Sequence, residues 1–574
     1  MPPNQPADLA TIATTVQWYV QYSLLHFLPE TLLAIGFLLA ILLDVFTRKT
    51  GKHVTAYFAI AVLAVAGYAA ALQWNGFDPL HPKGWKGGIP IFPYTQTLFA
   101  PQVTGGDIQS GYAMAVVDNF AVFFKLLVSL AGILVILMSM ASRELNLHRR
   151  RFGEYYALIL GMSIGLYLMP ASTDLIMMYI SLELVSISGY ILAGFSKESA
   201  HGSEASLKYI LFGALSSGLM LYGFSLFYGL TGSTNIVAIR QVLALNAQSH
   251  GGINILVLWL ATVLALAGMG YKISAVPFHF WTPDVYEGAP TPVTALLSVA
   301  SKAAGFGLLI RFVFLIFPTG GHFNAPLIDW PTVLAVLSVL TMTIGNFAAL
   351  QQGNVKRMLA YSSIAHAGYM LAGLVVAGAA GIVSIMIYLV TYLFMQLGAF
   401  YAVMLIENKI HSEELDDYRG LMSRSPLLSS SLVVFLVSLT GIPLTAGFIG
   451  KFYLFTAILT PDRLTHEVRW LWLAIVVVLN SVIGLYYYLR VAGAMFLKRP
   501  IREMTAWWTG TLQQAPASPS PSMVMNDVIT YKLPVKLLLF ALLIPVLLLG
   551  VYFQPLVDFA SGVIRFFDFQ NYKY

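Results

Sequence analysis

Six ionisable side chains of this sequence lie inside long apolar stretches, where a charge is energetically unfavourable. In membrane proteins such groups face a bundle interior or a water-filled cavity, and they mark ion or proton pathways by default. The six residues are Glu183, Lys208, Lys272, Lys302, His366 and Lys451. Their types and positions predict that they transfer protons across a membrane.

The chemistry expected of these residues is reversible protonation of buried amines. Burial lowers the pKa of a lysine from about 10.4, and a carboxylate that approaches raises it again. We expect Glu183 to modulate Lys272 in this way. An imidazole titrates near neutral pH, so His366 could relay protons along the same path.

Two of the lysines lie in apolar segments that are too long for one straight membrane helix. Lys272 falls in residues 253–281 and Lys451 in residues 427–459. As straight helices these segments would be about 43 and about 50 Å long, at ~1.5 Å per residue, whereas the hydrocarbon core of a bilayer is ~30 Å thick. Each segment is therefore expected to be interrupted.

Glycine and proline indicate where the interruptions fall. Pro277 and Pro443, each accompanied by nearby glycines, favour breaks near 268–277 and 440–447. Paired interrupted helices in corresponding halves of a chain point to a transport site. The two segments are five spans apart, and an odd separation reverses the direction across the membrane, so we predict inverted repeats.

Other interpretations exist for each charge taken singly. A lysine or arginine near the end of a span can extend its charged head to the interface, which is an explanation for Arg311 and Arg490. A buried lysine can also belong to a static ion pair. Several such groups together make a purely static role for all of them a weak explanation.

Composition identifies a membrane protein with many spans. The 574 residues are 58% hydrophobic and only 10% charged, with a net charge of +6, whereas soluble proteins carry about 25% charged residues. The basic residues fall in short loops, so membrane topology explains the positive charge better than nucleic-acid binding does.

Several classes of chemistry have no sequence support. The absence of cysteine excludes disulfides, thiol catalysis and cysteine-ligated iron–sulfur clusters within this chain. No phosphate-binding or dinucleotide-binding glycine motif occurs, and the isolated His279 and His366 show no metal-ligand spacing.

Hydropathy predicts an all-α polytopic protein with fourteen transmembrane helices. The spans are 25–46, 54–74, 113–140, 154–171, 173–196, 204–231, 253–282, 289–317, 330–350, 356–378, 381–407, 426–459, 468–497 and 534–554. Eighteen basic residues lie at loops that follow odd-numbered spans and seven on the opposite side. The positive-inside rule therefore places both termini outside the cytoplasm.

The spans group into five regions along the chain. We expect helices 1–3 with an extracytoplasmic loop 75–112 in residues 1–153, a first repeat in 154–318 and a second repeat in 330–498. Residues 499–532, rich in proline and serine, read as a flexible cytoplasmic insertion. Residues 533–574 hold the last span and an interfacial tail.

Long motifs in the sequence resemble one family. Lys272-Ile-Ser-Ala-Val-Pro-Phe-His-Phe-Trp-Thr-Pro-Asp-Val-Tyr-Glu-Gly-Ala-Pro290 is similar to the broken-helix signature of the antiporter-like subunits of respiratory complex I, in the form typical of the N subunits of bacterial NADH-quinone oxidoreductase. Glu204-Ala-Ser-Leu-Lys208-Tyr, the segment from Asn354 to Tyr369 and Gly447-Phe-Ile-Gly-Lys451-Phe-Tyr support it. The resemblance covers roughly residues 115–500.

The resemblance implies roles for individual residues. Glu183 and Lys272 match the family's interacting pair, and Lys208 and Lys302 match lysines of the sixth and eighth spans. His366 matches a histidine of the central axis, and Lys451 matches the lysine that ends the path. The implied fold has two inverted five-helix repeats, each with a broken helix; the loops 75–112 and 499–532 depart from the family pattern.

The implied function is proton translocation as a membrane-arm subunit of NAD(P)H-quinone oxidoreductase, in a bacterial inner membrane. No cofactor is expected in this chain, whereas NADH, FMN, iron–sulfur clusters and quinone are expected elsewhere in the complex. The implied partners are other antiporter-like subunits, small membrane subunits and lipid, with no nucleic acid. Two alternatives remain at this point: a stand-alone or multi-subunit cation/proton antiporter, and a structural membrane scaffold.

Overall fold

The computed structural model describes residues 26–47, 53–74, 89–93, 113–147, 152–196, 198–248, 252–317, 328–460, 468–497 and 531–564. The expected loop 75–112, apart from 89–93, lies outside the described residues. So do the expected insertion 499–532, apart from its last two residues, and the interfacial tail after 564.

The described residues form a helical bundle, built from runs of leucine, alanine, valine and isoleucine. In chain order the helices are α1 (Leu28–Thr47), α2 (Val54–Leu72), α3 (Asn119–Ala141), α4 (Arg143–Leu147), α5 (Phe152–Ala171), α6 (Leu175–Ala193), α7 (Ala200–Thr231), α8 (Ile236–Gln248), α9 (Ile255–Ile273), α10 (Trp281–Gly288), α11 (Thr291–Leu296), α12 (Lys302–Ile316), α13 (Trp330–Leu350), α14 (Val355–Leu374), α15 (Ala379–Ile410), α16 (Leu421–Arg424), α17 (Pro426–Thr440), α18 (Ala446–Ile458), α19 (Leu471–Leu497), α20 (Leu533–Val551) and α21 (Gln554–Ile564). A π-helical turn, Leu297–Ser301, joins α11 to α12, and Leu415–Tyr418 forms a 3-10 turn.

Within the described residues, eleven helices are long and apolar enough to cross a membrane. They are α1, α2, α3, α6, α7, α9, the continuous α11–α12 unit, α13, α15, α19 and α20. The three other predicted spans contain α5, α14 and the pair α17 and α18. The all-helical membrane architecture is confirmed, while the total of fourteen spans stays a prediction.

The third predicted span begins later than the sequence indicated. Ala113–Val117 is a β-strand, β2, paired antiparallel with β1 (Ile89–Pro93). Helix α3 begins at Asn119, because the Asp118 carboxylate accepts a hydrogen bond of 2.8 Å from the Ala121 amide and caps the helix. The prediction of a helix from residue 113 was therefore wrong at its start.

Both expected helix breaks are present in the structure. The first separates α9 from α10, where Ser274 has a left-handed φ of 63°. The Val276 amide in this break is bonded to the Thr341 hydroxyl of α13 at 3.0 Å, so a backbone group freed by unwinding finds a partner in the other half of the chain.

The second break separates α17 from α18. Gly441, with a φ of 90°, ends α17 in the left-handed conformation that glycine adopts without strain. A Cβ at Gly441 would lie 2.8 Å from Cδ of Lys451. The bare backbone at this turn therefore lets the lysine stem pass closely.

Helix α15 is the central element of the bundle. It has 32 residues, most of them buried, and packs against α11, α14, α17, α18 and α20. Tyr388, Tyr392 and Gln396 are fully buried on this helix. It thus positions polar side chains in the interior, with Tyr388 and Tyr392 next to the predicted residue His366.

Candidate functional site

Lys272 lies in the last turn of α9, directly before the first break, and is 1% exposed. Its ammonium donates a 3.2 Å hydrogen bond to the hydroxyl of Ser186 on α6. Helix α12 comes close on another side, because a Cβ at Gly305 would lie 3.5 Å from Cγ of Lys272. The lysine is enclosed by protein and bonded to a neutral partner.

Glu183 lies one helical turn before Ser186 on α6 and forms no ion pair with Lys272. Its Oε1 atom is buried and finds no hydrogen-bond partner among the described residues. Its charge nevertheless acts on the Lys272 ammonium. The two residues are thus close enough for electrostatic interaction, with Ser186 taking the position of direct contact.

Lys302, at the junction between the π-helical turn and α12, is fully buried. Its ammonium donates hydrogen bonds to the carbonyl oxygen and the hydroxyl of Ser363 on α14, at 2.6 and 2.7 Å. The hydroxyls of Tyr286 and Tyr392 also approach Ser363. Again the partners of a buried lysine are neutral.

His366 lies one helical turn after Ser363 and is held between two tyrosines. Its Nδ1 atom pairs with the hydroxyl of Tyr388 on α15, and its Nε2 atom lies 3.2 Å from the hydroxyl of Tyr488 on α19. Tyr488 also bonds the hydroxyl of Ser362. These contacts form a chain of groups that can each donate or accept a proton.

Lys451, on α18 just after the second break, is bonded to backbone that the break exposes. Its ammonium donates a 2.8 Å hydrogen bond to the carbonyl oxygen of Thr440, the last residue of α17. It also lies 4.7 Å from the centre of the Tyr369 ring, one helical turn after His366. The break therefore supplies the acceptor for the charge.

Three of the predicted residues converge on α14, from both halves of the chain. Lys302 contacts the residue one turn before His366, and Lys451 contacts the residue one turn after it. The charges of both lysines act on the buried His366 ring. The structure thus brings Lys302, His366 and Lys451 together around α14.

Lys208 is placed elsewhere. Its side chain is 36% exposed and pairs with Glu204 at 2.7 Å and with Asp284 at 2.6 Å. Asp284 in turn lies 2.8 Å from Arg357 of α14, which also contacts Glu287. Lys208 belongs to an ion-pair network that joins α7, α10 and α14, and the described contacts do not connect it to Lys272.

The protonation of Asp284 reflects this network. Partial burial alone would raise the pKa of the Asp284 carboxyl, but the hydrogen bond from Lys208 and the charge of Arg357 outweigh it. The pKa therefore lies below the usual 3.8, and Asp284 is ionised at neutral pH.

A second class of buried bases has direct charged partners. Lys125 is 2.7 Å from the Glu30 carboxylate, with both side chains at most 1% exposed. Arg311 makes two parallel hydrogen bonds to Asp118, at 2.7 and 2.9 Å, and a third to the Pro170 carbonyl at 2.9 Å. The interpretation that Arg311 extends to the interface was wrong, because Asp118 at the start of α3 offers it a buried carboxylate.

Arg490 is also held by the protein. It donates hydrogen bonds to the carbonyl oxygens of Leu350, at 2.8 Å, and Gln352. These carbonyls lie at the end of α13, where the last turn of a helix leaves acceptors unpaired. The guanidinium satisfies them, so Arg490 caps a helix and does not simply extend to lipid headgroups.

The polar residues that hold the buried bases were not predicted from the sequence. Ser186 follows Glu183 by three positions, Ser363 precedes His366 by three, and Tyr369 follows it by three. Positions three apart on a helix share a face. Reading one turn on either side of each charged residue would have found them.

The arrangement is suited to proton transfer. Hydroxyls and imidazole nitrogens can both give and accept a proton, and a neutral partner allows a lysine to lose its proton without leaving a carboxylate unpaired. Among the described residues there is no cluster of three or more histidines or carboxylates that could hold a metal ion.

Comparison with known families agrees with the architecture. A family model described as NADH:quinone oxidoreductase/Mrp antiporter, transmembrane, matches residues 172–484. NADH-quinone oxidoreductase subunit N 2 of Chloroherpeton thalassium is 45% identical over 474 residues, covering 82% of this chain and 85% of the relative. NADH-quinone oxidoreductase subunit N of Chlorobium chlorochromatii is 41% identical over 569 residues, covering 98% of each.

Solved structures show the same fold. A chain of respiratory complex I from Thermus thermophilus with bound aureothin has a TM-score of 0.66 and 28% identity, covering 93% of this chain and all of that one. A chain of the Mrp complex from Dietzia sp. has a TM-score of 0.72 at 22% identity, which shows likeness of fold alone. From the matched family model and the curated relatives, the chain belongs to the NADH:quinone oxidoreductase/Mrp antiporter family of transmembrane proteins, in the branch of the N subunits.

Proposed function

We propose that this chain is a proton-translocating membrane-arm subunit of an NADH:quinone oxidoreductase, in a bacterial inner membrane. Its relatives bear the name of subunit N of that enzyme. Other membrane-arm subunits are its partners, and the electron-transfer cofactors belong to other subunits of the complex. Electron transfer elsewhere supplies the free energy, and moving one proton against 100 mV requires ~2.3 kcal/mol.

The observation that carries the proposal is the set of buried lysines without a carboxylate in contact. Lys272, Lys302 and Lys451 each bond a hydroxyl or a carbonyl oxygen. An ammonium with only neutral partners in a protein interior is poorly stabilised. Such a lysine gives up its proton when its surroundings change, which a static ion pair such as Lys125 with Glu30 does not.

The proposed path uses Glu183 to modulate Lys272, then Lys302, His366 and Lys451 to carry the proton. Thr440 and Tyr369 support the last lysine beside the second break. Lys208 takes part indirectly, because its ion pair with Asp284 helps to hold α10, the helix that follows the first break.

The finer architecture completes the proposal. Residues 154–318 and 330–498 form two inverted five-helix repeats, each with a broken helix, and both chain termini lie outside the cytoplasm. The matching breaks before α10 and before α18 support the repeats. The basic residues at odd-numbered span ends support the orientation.

The test is proton pumping by the assembled complex in proteoliposomes, measured together with electron transfer on the same preparation. Glu183→Gln and Lys272→Ala are expected to lower the number of protons moved per electron pair. Glu154→Gln, at an exposed carboxylate early in α5, is the matched control and is expected to pump normally. Normal pumping by assembled Lys272→Ala complex would remove Lys272 from the transport step and contradict the proposed path.

A further inference from the structure

A line of buried hydroxyl groups runs along α11 and the π-helical turn. Its members, called here the hydroxyl stripe, are Thr291, Thr294, Ser298 and Ser301, each at most 2% exposed. Spacings of three, four and three residues place side chains on one face of a helix. The stripe ends at Ser301, the residue before Lys302, so its inner end lies within one helical turn of a buried lysine of the proposed path.

The inner end of the stripe contains an unsatisfied hydroxyl. The Oγ atom of Ser301 is buried and has no hydrogen-bond partner among the described residues. Ser298 and Thr294, by contrast, donate to the carbonyl oxygens of Ala295 and Tyr286, both at 2.9 Å. The π-helical turn Leu297–Ser301 covers this end, and single π turns inside helices occur frequently at functional sites.

The outer end of the stripe meets a carboxylate. Thr291 donates a 3.1 Å hydrogen bond to Oε2 of Glu407, near the end of α15. Glu407 belongs to a group that we call the acidic cluster: Glu144, Glu407 and Glu413 around the buried Lys356. Lys356 pairs with Glu413 at 3.0 Å, and the charges of Glu407 and Glu144 also act on its ammonium.

The acidic cluster carries more negative than positive charge. Its three carboxylates face one ammonium, and Lys356 is only 2% exposed. The buried hydroxyl of Tyr418 lies near Glu413 and Glu407 and has no hydrogen-bond partner within the described chain. The charge of Asp417 also acts on Tyr418. Tyr155 lies near Glu144, whose carboxylate accepts a 2.7 Å hydrogen bond from the Ser196 hydroxyl.

The acidic cluster lies at the face of the protein that carries basic loops. Arg143 and Lys409 flank Glu144 and Glu407 in sequence, and the Asn408 amide bonds the Ala141 carbonyl at 3.0 Å, so the ends of α3 and α15 meet there. By the positive-inside rule this is the side from which the proposed function takes up protons.

A second unsatisfied group lies on α15, the helix that packs against the elements carrying the stripe. Gln396 is fully buried on α15, which packs against α11 and the π-helical turn, and neither polar atom of its amide has a partner among the described residues. Buried polar groups without a protein partner are normally bonded to ordered water. The Gln396 amide and the Ser301 hydroxyl are therefore suited to bonding water molecules inside this part of the bundle.

We infer that the acidic cluster and the hydroxyl stripe form the proton inlet of this subunit, with hydronium and water as the ligands. The inference rests on the proposed function and names the entry to the same site. The O–H bond of protonated Glu407 breaks, its proton passes through water and the stripe hydroxyls, and an N–H bond forms on neutral Lys302. The Glu407 carboxylate then takes a new proton from water outside.

Ser301 gives the sharpest test, because its hydroxyl bonds no other described residue, so removing it leaves no described protein group unpaired. Ser301→Thr and Ser301→Val introduce side chains of the same shape that differ in the hydroxyl. In proteoliposomes with assembled complex, we expect Ser301→Val to pump roughly tenfold slower than Ser301→Thr, because only threonine keeps a hydroxyl that can pass on a proton. Thr262→Val, at a buried hydroxyl bonded to its own helix, is the control and should pump normally.

Glu407→Gln tests the outer end and keeps an acceptor for Thr291. It is expected to slow pumping, with partial recovery in Glu407→Asp, while Glu414→Gln at an exposed neighbour leaves it unchanged. Equal pumping by Ser301→Val and Ser301→Thr, or normal pumping by Glu407→Gln, would overturn the inlet. Lys302→Met separates the two proposals. Normal pumping by this variant would contradict the proposed path itself. Impaired pumping by Lys302→Met together with normal pumping by the inlet variants would contradict the inlet alone.

Discussion

The buried bases of this chain fall into two groups according to what their charged heads touch. Lys125 and Arg311 bond carboxylates, whereas Lys272, Lys302 and Lys451 bond hydroxyls or carbonyls. Removing one partner of a buried ion pair leaves the other charge buried and unpaired, which destabilises the protein. Removing a buried charge that has no charged partner does not have this cost. The two groups should therefore respond to mutation in opposite ways.

The first prediction concerns stability. Arg311→Met should destabilise the protein by about 3–5 kcal/mol, because Asp118 is left buried and unpaired. Lys302→Met should leave thermal stability equal or higher while abolishing pumping. Thermal unfolding of the purified complex measures the stability of both variants. A Lys302→Met variant as unstable as Arg311→Met would show that Lys302 is structural.

The second prediction concerns Lys451. Lys451→Ala should reduce proton pumping with the complex still assembled, and Lys451→Arg should not restore it fully, because arginine keeps its proton. Pumping and electron transfer are measured on the same proteoliposomes. Lys409→Ala, at an exposed lysine of α15, serves as the control. Full activity of the arginine variant would argue for a role of charge alone.

At residue scale the sequence identified the charged groups but not their partners. Glu183, Lys272 and His366 stand out because each is an ionisable residue in an apolar run. Which hydroxyl each would bond depends on neighbouring helices, and a serine three positions away is common enough to pass unnoticed. The ion pair of Lys208 was not predictable for the same reason, since its partner Asp284 lies on another helix.

At the scale of elements, the two breaks were predictable because proline and glycine disfavour helix locally. The bonds that hold the breaks were not predictable. The first is tied by Trp281, whose ring nitrogen donates to the Tyr271 carbonyl at 3.1 Å, and by Thr341 from a distant helix. Local composition indicates where a helix unwinds, while tertiary contacts decide how the unwound backbone is satisfied.

The third prediction concerns the second break. Gly441→Ala should destabilise the protein by about 1 kcal/mol or more, because a residue with Cβ is strained at positive φ. It should also lower pumping, since the new methyl group would meet the Lys451 stem. Gly218→Ala, at a helical glycine with open space around it, is the control and should be tolerated. Normal pumping by Gly441→Ala would show that Lys451 tolerates displacement.

At the scale of the whole molecule, an ion-pair network fastens the two halves of the chain to each other. Asp284 of α10 forms ion pairs with Lys208 of α7 and with Arg357 of α14. Glu287 is a second carboxylate partner of the arginine. Single exposed ion pairs contribute little to stability, but a network of several charges contributes more. This one connects a broken helix of the first half with α14, which carries His366.

The fourth prediction gives the pH dependence of this network. Because the pKa of Asp284 is held below 3.8, its contribution is fully present above that value and is lost as the pH falls through the lower folded value. The stability difference between wild type and Asp284→Asn should therefore be constant at neutral pH and shrink only under acid conditions. Thermal unfolding of the complex over a pH series measures it. A difference that changes around pH 7 would contradict the assignment.

The overall architecture was largely predictable because apolar runs of membrane length and basic loops leave few alternatives. The strand β2 was missed, since its valines and alanines are as apolar as the helix that follows. The pairing of Arg311 with Asp118 was missed too, because the residues are far apart in sequence. Long-range pairings of this kind have no local signature.

Helix α15 is a rod about 48 Å long, at ~1.5 Å per residue, and it carries Tyr388 in its first third and Glu407 near its last residue. Tyr388 contacts His366, and Glu407 contacts Thr291. If the rod tilts about Gln396, between them, its two ends swing in opposite directions. One motion of the helix would then loosen the contact with His366 and rearrange the contact with Thr291. The proposed inlet and the proposed path would then respond to one motion of α15, without a separate signal.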